Sequence, residues 1–176
     1  MESMCRSEIK TIQGKEIMSF YTWKTIRLGT GPKTADDFLT AFKKAGCFIG
    51  SEAISILKSP AFKVADRETE VELVNVSVGE LGFRRMRRAD IYALVQQVGL
   101  QLCPAEVGPQ LRLQFLEQLM GEEVLRVGME PIAIRSSPGL QHGGRFVFAI
   151  DFHIRGKLLY GVSDNPDELM LAYRRF

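Results

Sequence analysis

The chain has 176 residues, 45% hydrophobic and 25% charged, with a formal net charge of +2. That length supports one ordinary core, or two small lobes sharing one, and a near-neutral charge excludes the global basic field that draws nucleic acid. Three well-separated cysteines, Cys5, Cys47 and Cys103, exclude a disulfide framework and any C-x-x-C pair; free thiols point to a reducing cytoplasm.

No apolar run approaches the roughly 20 residues needed to cross a bilayer. The first ten residues, M-E-S-M-C-R-S-E-I-K, lack the apolar segment of a secretory signal. No membrane partner is expected. Residues 1–19 are polar and without a sustained period, which predicts a loosely docked segment preceding one domain over 20–176. A helical lobe over 20–103 and a β-rich lobe over 104–176 form the alternative division.

Phe20 to Leu28 is rich in aromatic and β-branched residues and reads as a strand ended by Gly29 and Gly31-Pro32. From Thr34 the pattern is helical. Thr34 and Asp37 have capping-box spacing, Asp36 and Asp37 suit the positive end, and Lys43 and Lys44 suit the negative end. Phe38, Leu39, Phe42 and Ala45 make its apolar stripe, and Gly46 stops it. A second short helix runs over Ser51–Lys58, with Ala53, Ile54 and Leu57 inward and Pro60 after it.

Glu70–Val78 reads as a strand whose apolar parity switches after Leu73, predicting either a bulge near Leu73–Val74 or cover on both faces. Ser77 and Glu80 again have capping-box spacing. Arg84, Arg85, Arg87 and Arg88 surround Met86 and lead into a helix over Ala89–Val98, with Ile91, Leu94, Val95 and Val98 as its stripe. The helix ends at Gly99.

The central junction, Val98 to Phe115, follows with two prolines and a glycine. Leu111, Leu113 and Phe115 alternate, which predicts a strand over Leu111–Leu116 that pairs as a hairpin with Val124–Met129, turned at Gly121. Residues 135–144 read as a loop. Phe146, Phe148, Ile150, Phe152 and Ile154 then alternate with Val147, Ala149, Asp151, His153 and Arg155, a second face that starts apolar and becomes polar, which predicts cover on both sides at one end of the strand; Gly156-Lys157 turns the chain into Leu158–Val162. The sum is an α+β fold: about three short N-terminal helices packed on a mostly antiparallel sheet formed largely by the C-terminal half.

Leu81-Gly82-Phe83, Ala89-Asp90-Ile91-Tyr92, Gly99-Leu100 and the run L-C-P-A-E-V-G-P-Q-L-R-L-Q resemble a family of small uncharacterised bacterial proteins. The resemblance spans about Trp23 to Met129, with T-A-D-D-F in the first helix. It implies a bacterial origin and a shared core, and no chemistry, because the family carries no assigned activity. The R-R-M-R-R segment departs from a more Gly- and Thr-rich one.

Three sets of residues carry candidate chemistry. Cys103 with Glu106 and a histidine such as His153 has the residue types of a thiol nucleophile and its base, with a buried structural thiol as the plain alternative. Glu106 and Arg112, on a stiff loop with Gln110, suggest a bidentate ion pair that either pins the loop or holds a ligand. Arg84, Arg85, Arg87 and Arg88 at a helix N-terminus suit a phosphate or nucleic acid, the latter in a winged-helix-like reader.

With two histidines, His142 and His153, no metal centre is expected beyond a weak Asp151–His153 option. Gly139 and Gly143-Gly144 do not form a phosphate-binding loop, so no cofactor is expected. The leading expectation is a non-enzymatic binding or interaction module, its partner a protein or a second copy of the chain, on the face around Arg84–Arg88 and the 104–112 loop. A small hydrolase or transferase built on Cys103, Glu106 and Arg112 comes second, and nucleic-acid binding third.

Overall fold

The computed structural model describes residues 10–12, 15–17, 20–118, 120, 124–135, 143–154 and 156–171. Most of the 1–19 segment, the turn at Gly121, Arg155 and the loop carrying Gly139 and His142 lie outside them. Within the first segment, β1 (Lys10–Ile12) and β2 (Lys15–Ile17) pair antiparallel.

Strand β3 (Lys24–Leu28) starts later than the aromatic run suggested. Helix α1 (Ala35–Lys44) forms as its sequence dictates: Thr34 accepts from the Asp37 amide, and the Asp37 carboxylate accepts from the Thr34 amide at 2.9 Å. Phe38 and Phe42 are its buried face. Short β4 (Phe48–Ile49) leads into α2 (Ser51–Leu57). Strand β5 (Thr69–Leu73) pairs antiparallel with β3. There the Trp23 amide donates to the Leu73 carbonyl at 2.7 Å, although Lys24 is the register partner of Leu73. That one-residue offset is of the kind a bulge produces.

The parity switch after Leu73 marks a change of core. Leu73 belongs to the large hydrophobic cluster that also holds Phe38, Phe42, Ile56, Leu111 and Phe148. Val76 and Val78 belong to a smaller cluster with Leu81, Ile91, Leu94, Val98 and Met170. Within this second stretch Ser77 and Glu80 cap a turn reciprocally, at 2.6 and 3.1 Å. β6 (Arg85–Arg87) runs into α3 (Arg88–Gln97), and β11 (Leu169–Leu171) pairs antiparallel with β6.

The expected strand over Leu111–Leu116 is instead the end of a fourth helix, α4 (Val107–Gln114). Pro109 is its third residue, where the amide has no intrahelical partner in any case. The alternation of Leu111, Leu113 and Phe115 concealed a four-residue spacing, Glu106, Gln110, Gln114, which is the one realised. The hairpin between 111–116 and 124–129 is therefore not made.

β7 (Leu125–Arg126) and β8 (Ile132–Ile134) each pair antiparallel with the long β9 (Gly144–His153). A hairpin joins β9 to β10 (Gly156–Ser163), and β10 takes β4 in parallel on its far side. The architecture is thus α+β with a mostly antiparallel sheet, and four helices among the described residues rather than about three. Val147 to Ile150 are fully buried on both faces of β9, the double cover its sequence implied; Ile154 lies past the strand end and is 93% exposed. Two glycines let helices approach the sheet on one face. A Cβ on Gly108 would lie 2.6 Å from Phe148, and one on Gly161 would lie 2.6 Å from Glu52. Since Gly161 and Phe148 are register partners, α2 and α4 share that face.

Candidate functional site: a groove between two cores

The polar groups of the central stretch are brought together differently from the sequence expectation. Glu106 is buried, and its Oε1 accepts from the Gly29 amide at 2.7 Å and from Gln110 Nε2 at 3.0 Å. Oε2 accepts from the Ala65 amide at 2.7 Å. Gln110 also donates to the Thr30 carbonyl at 2.8 Å and accepts from Gln114 Nε2 at 3.0 Å. Gln114 then engages both the amide and the carbonyl of Arg27, at 2.9 and 2.8 Å. This row of three side chains, one helical turn apart, stitches α4 to the edge of β3 and covers polar groups that an edge strand would leave open.

Arg112 is fully buried and makes no ion pair with Glu106. Six residues along a helix is about 600°, which turns the two side chains onto different faces, so the expected pair cannot form on α4. The guanidinium donates to Gln118 Oε1 at 2.6 Å, to the Phe115 carbonyl, and to the Asp151 carbonyl at 3.4 Å. It sits at the carbonyl end of α4, where the helix dipole favours a cation. Burial lowers its pKa, against the pull of Cys47, Glu117 and Asp151.

The arginine cluster divides. Arg84 and Arg85 are exposed, Arg87 is tied to Asp90 at 2.9 Å, and Arg88 is buried. Arg88 lies 2.9 Å from Asp164 and 3.6 Å from Glu168, while Arg126 holds Glu168 at 3.1 Å. Burial raises the Asp164 pKa although Arg88, Arg145 and Arg126 pull it down. The first two amides of α3, Arg88 and Ala89, donate to the carbonyls of Glu168 and Pro166. The phosphate seat expected at this helix end is therefore filled by the chain's own turn, with Asp90, Asp164 and Glu168 alongside. Arg88 ties α3 to the end of β10 instead of presenting a charge to a partner.

Cys103 and His153 do not meet. Cys103 bridges to Met129, and its amide donates to the Gly128 carbonyl at 2.7 Å. Val127, next to that bridge, bonds to Phe148, whereas His153 pairs with Gly156 five residues further along β9, roughly 17 Å at the rise of a strand. Burial pushes the Cys103 thiol up to about 11, so it stays protonated and is a poor nucleophile. Its nearest acidic neighbour in sequence, Glu106, is turned away into the β3 stitch. Among the described residues, no three His, Cys, Asp or Glu side chains converge as metal ligands.

What Cys103 does border is a groove of about 570 Å³ between the two hydrophobic clusters. One wall is β5 and its continuation, Val71 to Val74; the other is α3, through Ile91, Tyr92 and Val95. Leu100 to Pro104, Phe20 and Thr22 complete the lining. Its polar features are few. Thr22 Oγ1 donates to Glu72 Oε2 at 3.2 Å, and burial, reinforced by Asp164, pushes the Tyr92 hydroxyl up to about 12. Thiol and phenol are both neutral at physiological pH, so neither serves as a general base, and the mainly apolar lining suits binding of apolar matter.

The sequence marked Cys103 but not Tyr92, Val95, Val74 or Leu100 as groove residues. A signal existed in the parity switch at Leu73–Val74, where the chain leaves one core for the other and opens a cleft between them. Compared with family models, curated proteins and solved structures, the chain matches none.

Proposed function

We propose that the protein is a non-enzymatic binding module that takes an apolar or amphipathic ligand in the groove between its two cores. The groove itself carries the reading: about 570 Å³, in the size range of small-molecule sites, lined mainly by apolar side chains with a few polar groups at its margins. The reading departs from the Arg84–Arg88 face because Arg88 is buried and Arg87 is paired. We place the module in a reducing bacterial cytoplasm on two supports, the family resemblance and the free thiols of Cys47 and Cys103.

The test is titration with the neutral fluorophore N-phenyl-1-naphthylamine, on the wild type and on Val95→Trp, which fills the groove from the α3 wall. Saturable one-to-one binding, lost in Val95→Trp with the circular-dichroism spectrum unchanged, supports the reading. Absence of binding to the wild type sinks it. The thiol-enzyme alternative separates by pH. With a thiol near 11, alkylation of Cys103 read by mass spectrometry should rise about tenfold per pH unit from 7 to 10. A rate already at its plateau at pH 7 would instead favour a catalytic thiolate.

A further inference from the structure

A side chamber of about 40 Å³ adjoins the groove, sharing Leu73, Val74, Cys103 and Gly128 with it and lined further by Trp23, Leu111 and Arg126. Asn75 lines this chamber, and its side-chain oxygen Oδ1 is buried with no hydrogen-bond partner among the described residues. A buried acceptor without a donor is costly and uncommon in a folded protein. Arg126 borders the same space; its Nη1 and Nη2 engage Glu168, at 3.1 and 3.4 Å. A guanidinium has five N–H donors, so this pairing leaves donors over.

We propose that the groove's ligand is an uncharged amphipathic alcohol. Its apolar body lies between β5 and α3, and its hydroxyl enters the side chamber, donating to Asn75 Oδ1 and accepting from the Arg126 guanidinium. The proposal rests on the groove-binding reading above and narrows it to a ligand class. The chamber, at about 40 Å³, admits a head group of about three heavy atoms, since a single water occupies about 10–15 Å³ on this measure. The alternatives fail on chemistry. A carboxylate offers Asn75 no proton. An ammonium offers Arg126 no acceptor and adds a second cation beside it. A hydroxyl satisfies both groups.

The experiment is displacement of bound N-phenyl-1-naphthylamine by three probes of one chain length: decan-1-ol, decanoate and decylammonium. The expected result is that decan-1-ol displaces the fluorophore at about tenfold lower concentration than either ion, the effect of one well-placed buried hydrogen bond. Asn75→Leu should bring decan-1-ol within about twofold of decanoate. Asn75→Asp, which keeps the acceptor and adds a negative charge, should raise decylammonium to match decan-1-ol, and it serves where Asn75→Leu does not fold. Equal or better displacement by decanoate overturns the proposal with the groove reading intact, as does an alcohol preference that survives in Asn75→Leu. If the fluorophore does not bind the wild type at all, the groove reading and this inference fall together.

Discussion

Helix α4 and the groove beside it distribute polarity in opposite ways. The helix carries the most conspicuous residues of the chain, Glu106, Gln110 and Arg112, and spends them on backbone groups: Gly29, Thr30 and Ala65 on one side, Phe115 and Asp151 on the other. The groove is walled by valines, leucines and a tyrosine that carry no charge. The difference teaches that a polar residue conspicuous in sequence holds the fold when a buried backbone donor or acceptor needs it. The space left for a partner is then where two apolar surfaces fail to close on each other.

Breaking the α4 side of this comparison should cost most at Glu106. Glu106→Ala removes a carboxylate that serves three donors in a buried place, leaving the Gly29 and Ala65 amides unpaired. The expected loss is roughly 4 kcal/mol, read as a shift in the urea midpoint. A cost below about 1 kcal/mol would mean that the stitch is incidental.

Gly108→Ala comes next. Its Cβ would lie 2.6 Å from Phe148, so α4 or β9 must move, at roughly 2 kcal/mol by the same measurement. Arg112→Met tests the other face of the helix. Among the described residues Arg112 has no carboxylate partner, and methionine fills much of its volume, but the Gln118 side-chain oxygen and the Phe115 carbonyl lose their donor; the variant should therefore cost roughly 2 kcal/mol. A loss as large as that of Glu106→Ala would make Arg112, and not Glu106, the main anchor of α4. Last, Arg84→Ala and Arg85→Ala, on the exposed part of the cluster, should each stay within about 0.5 kcal/mol of wild type. A larger loss in either would show that the cluster is bound into the fold beyond Arg88.

Where local rules suffice, sequence and structure agree closely. The capping boxes at Thr34–Asp37 and Ser77–Glu80 form as their spacing requires, because each involves only atoms within one turn. The burial of β9 on both faces from Val147 to Ile150 was legible in its unbroken apolar run. At α4 the reading failed. Two prolines, a glycine and three alternating apolar residues satisfy the pattern of a loop and strand as well as that of a proline-tolerant first helical turn, and only the docking of Glu106, Gln110 and Gln114 onto β3 decides between them. The Glu106–Arg112 pair was lost with that strand.

The Arg84–Arg88 cluster is the second such case. Nothing within five residues distinguishes Arg88 from its neighbours, and its burial follows from Asp164 and Glu168, some eighty residues later, folding over the start of α3. The groove is legible only in part. A parity switch at Leu73–Val74 signals that the chain passes between cores. The width left there depends on how α3, β5 and the 100–104 segment pack, all of it long-range contact.

The amino-acid order alone therefore determined the α+β class, three of the four helices, the caps and the double cover of β9, because periodicity and capping act over one or two turns. Tertiary structure alone decided that the central stretch is a helix, that its charges face the backbone, and that the cleft lies between two cores. Those outcomes depend on which distant groups supply the missing hydrogen bonds and apolar surface, and a local pattern carries no record of either.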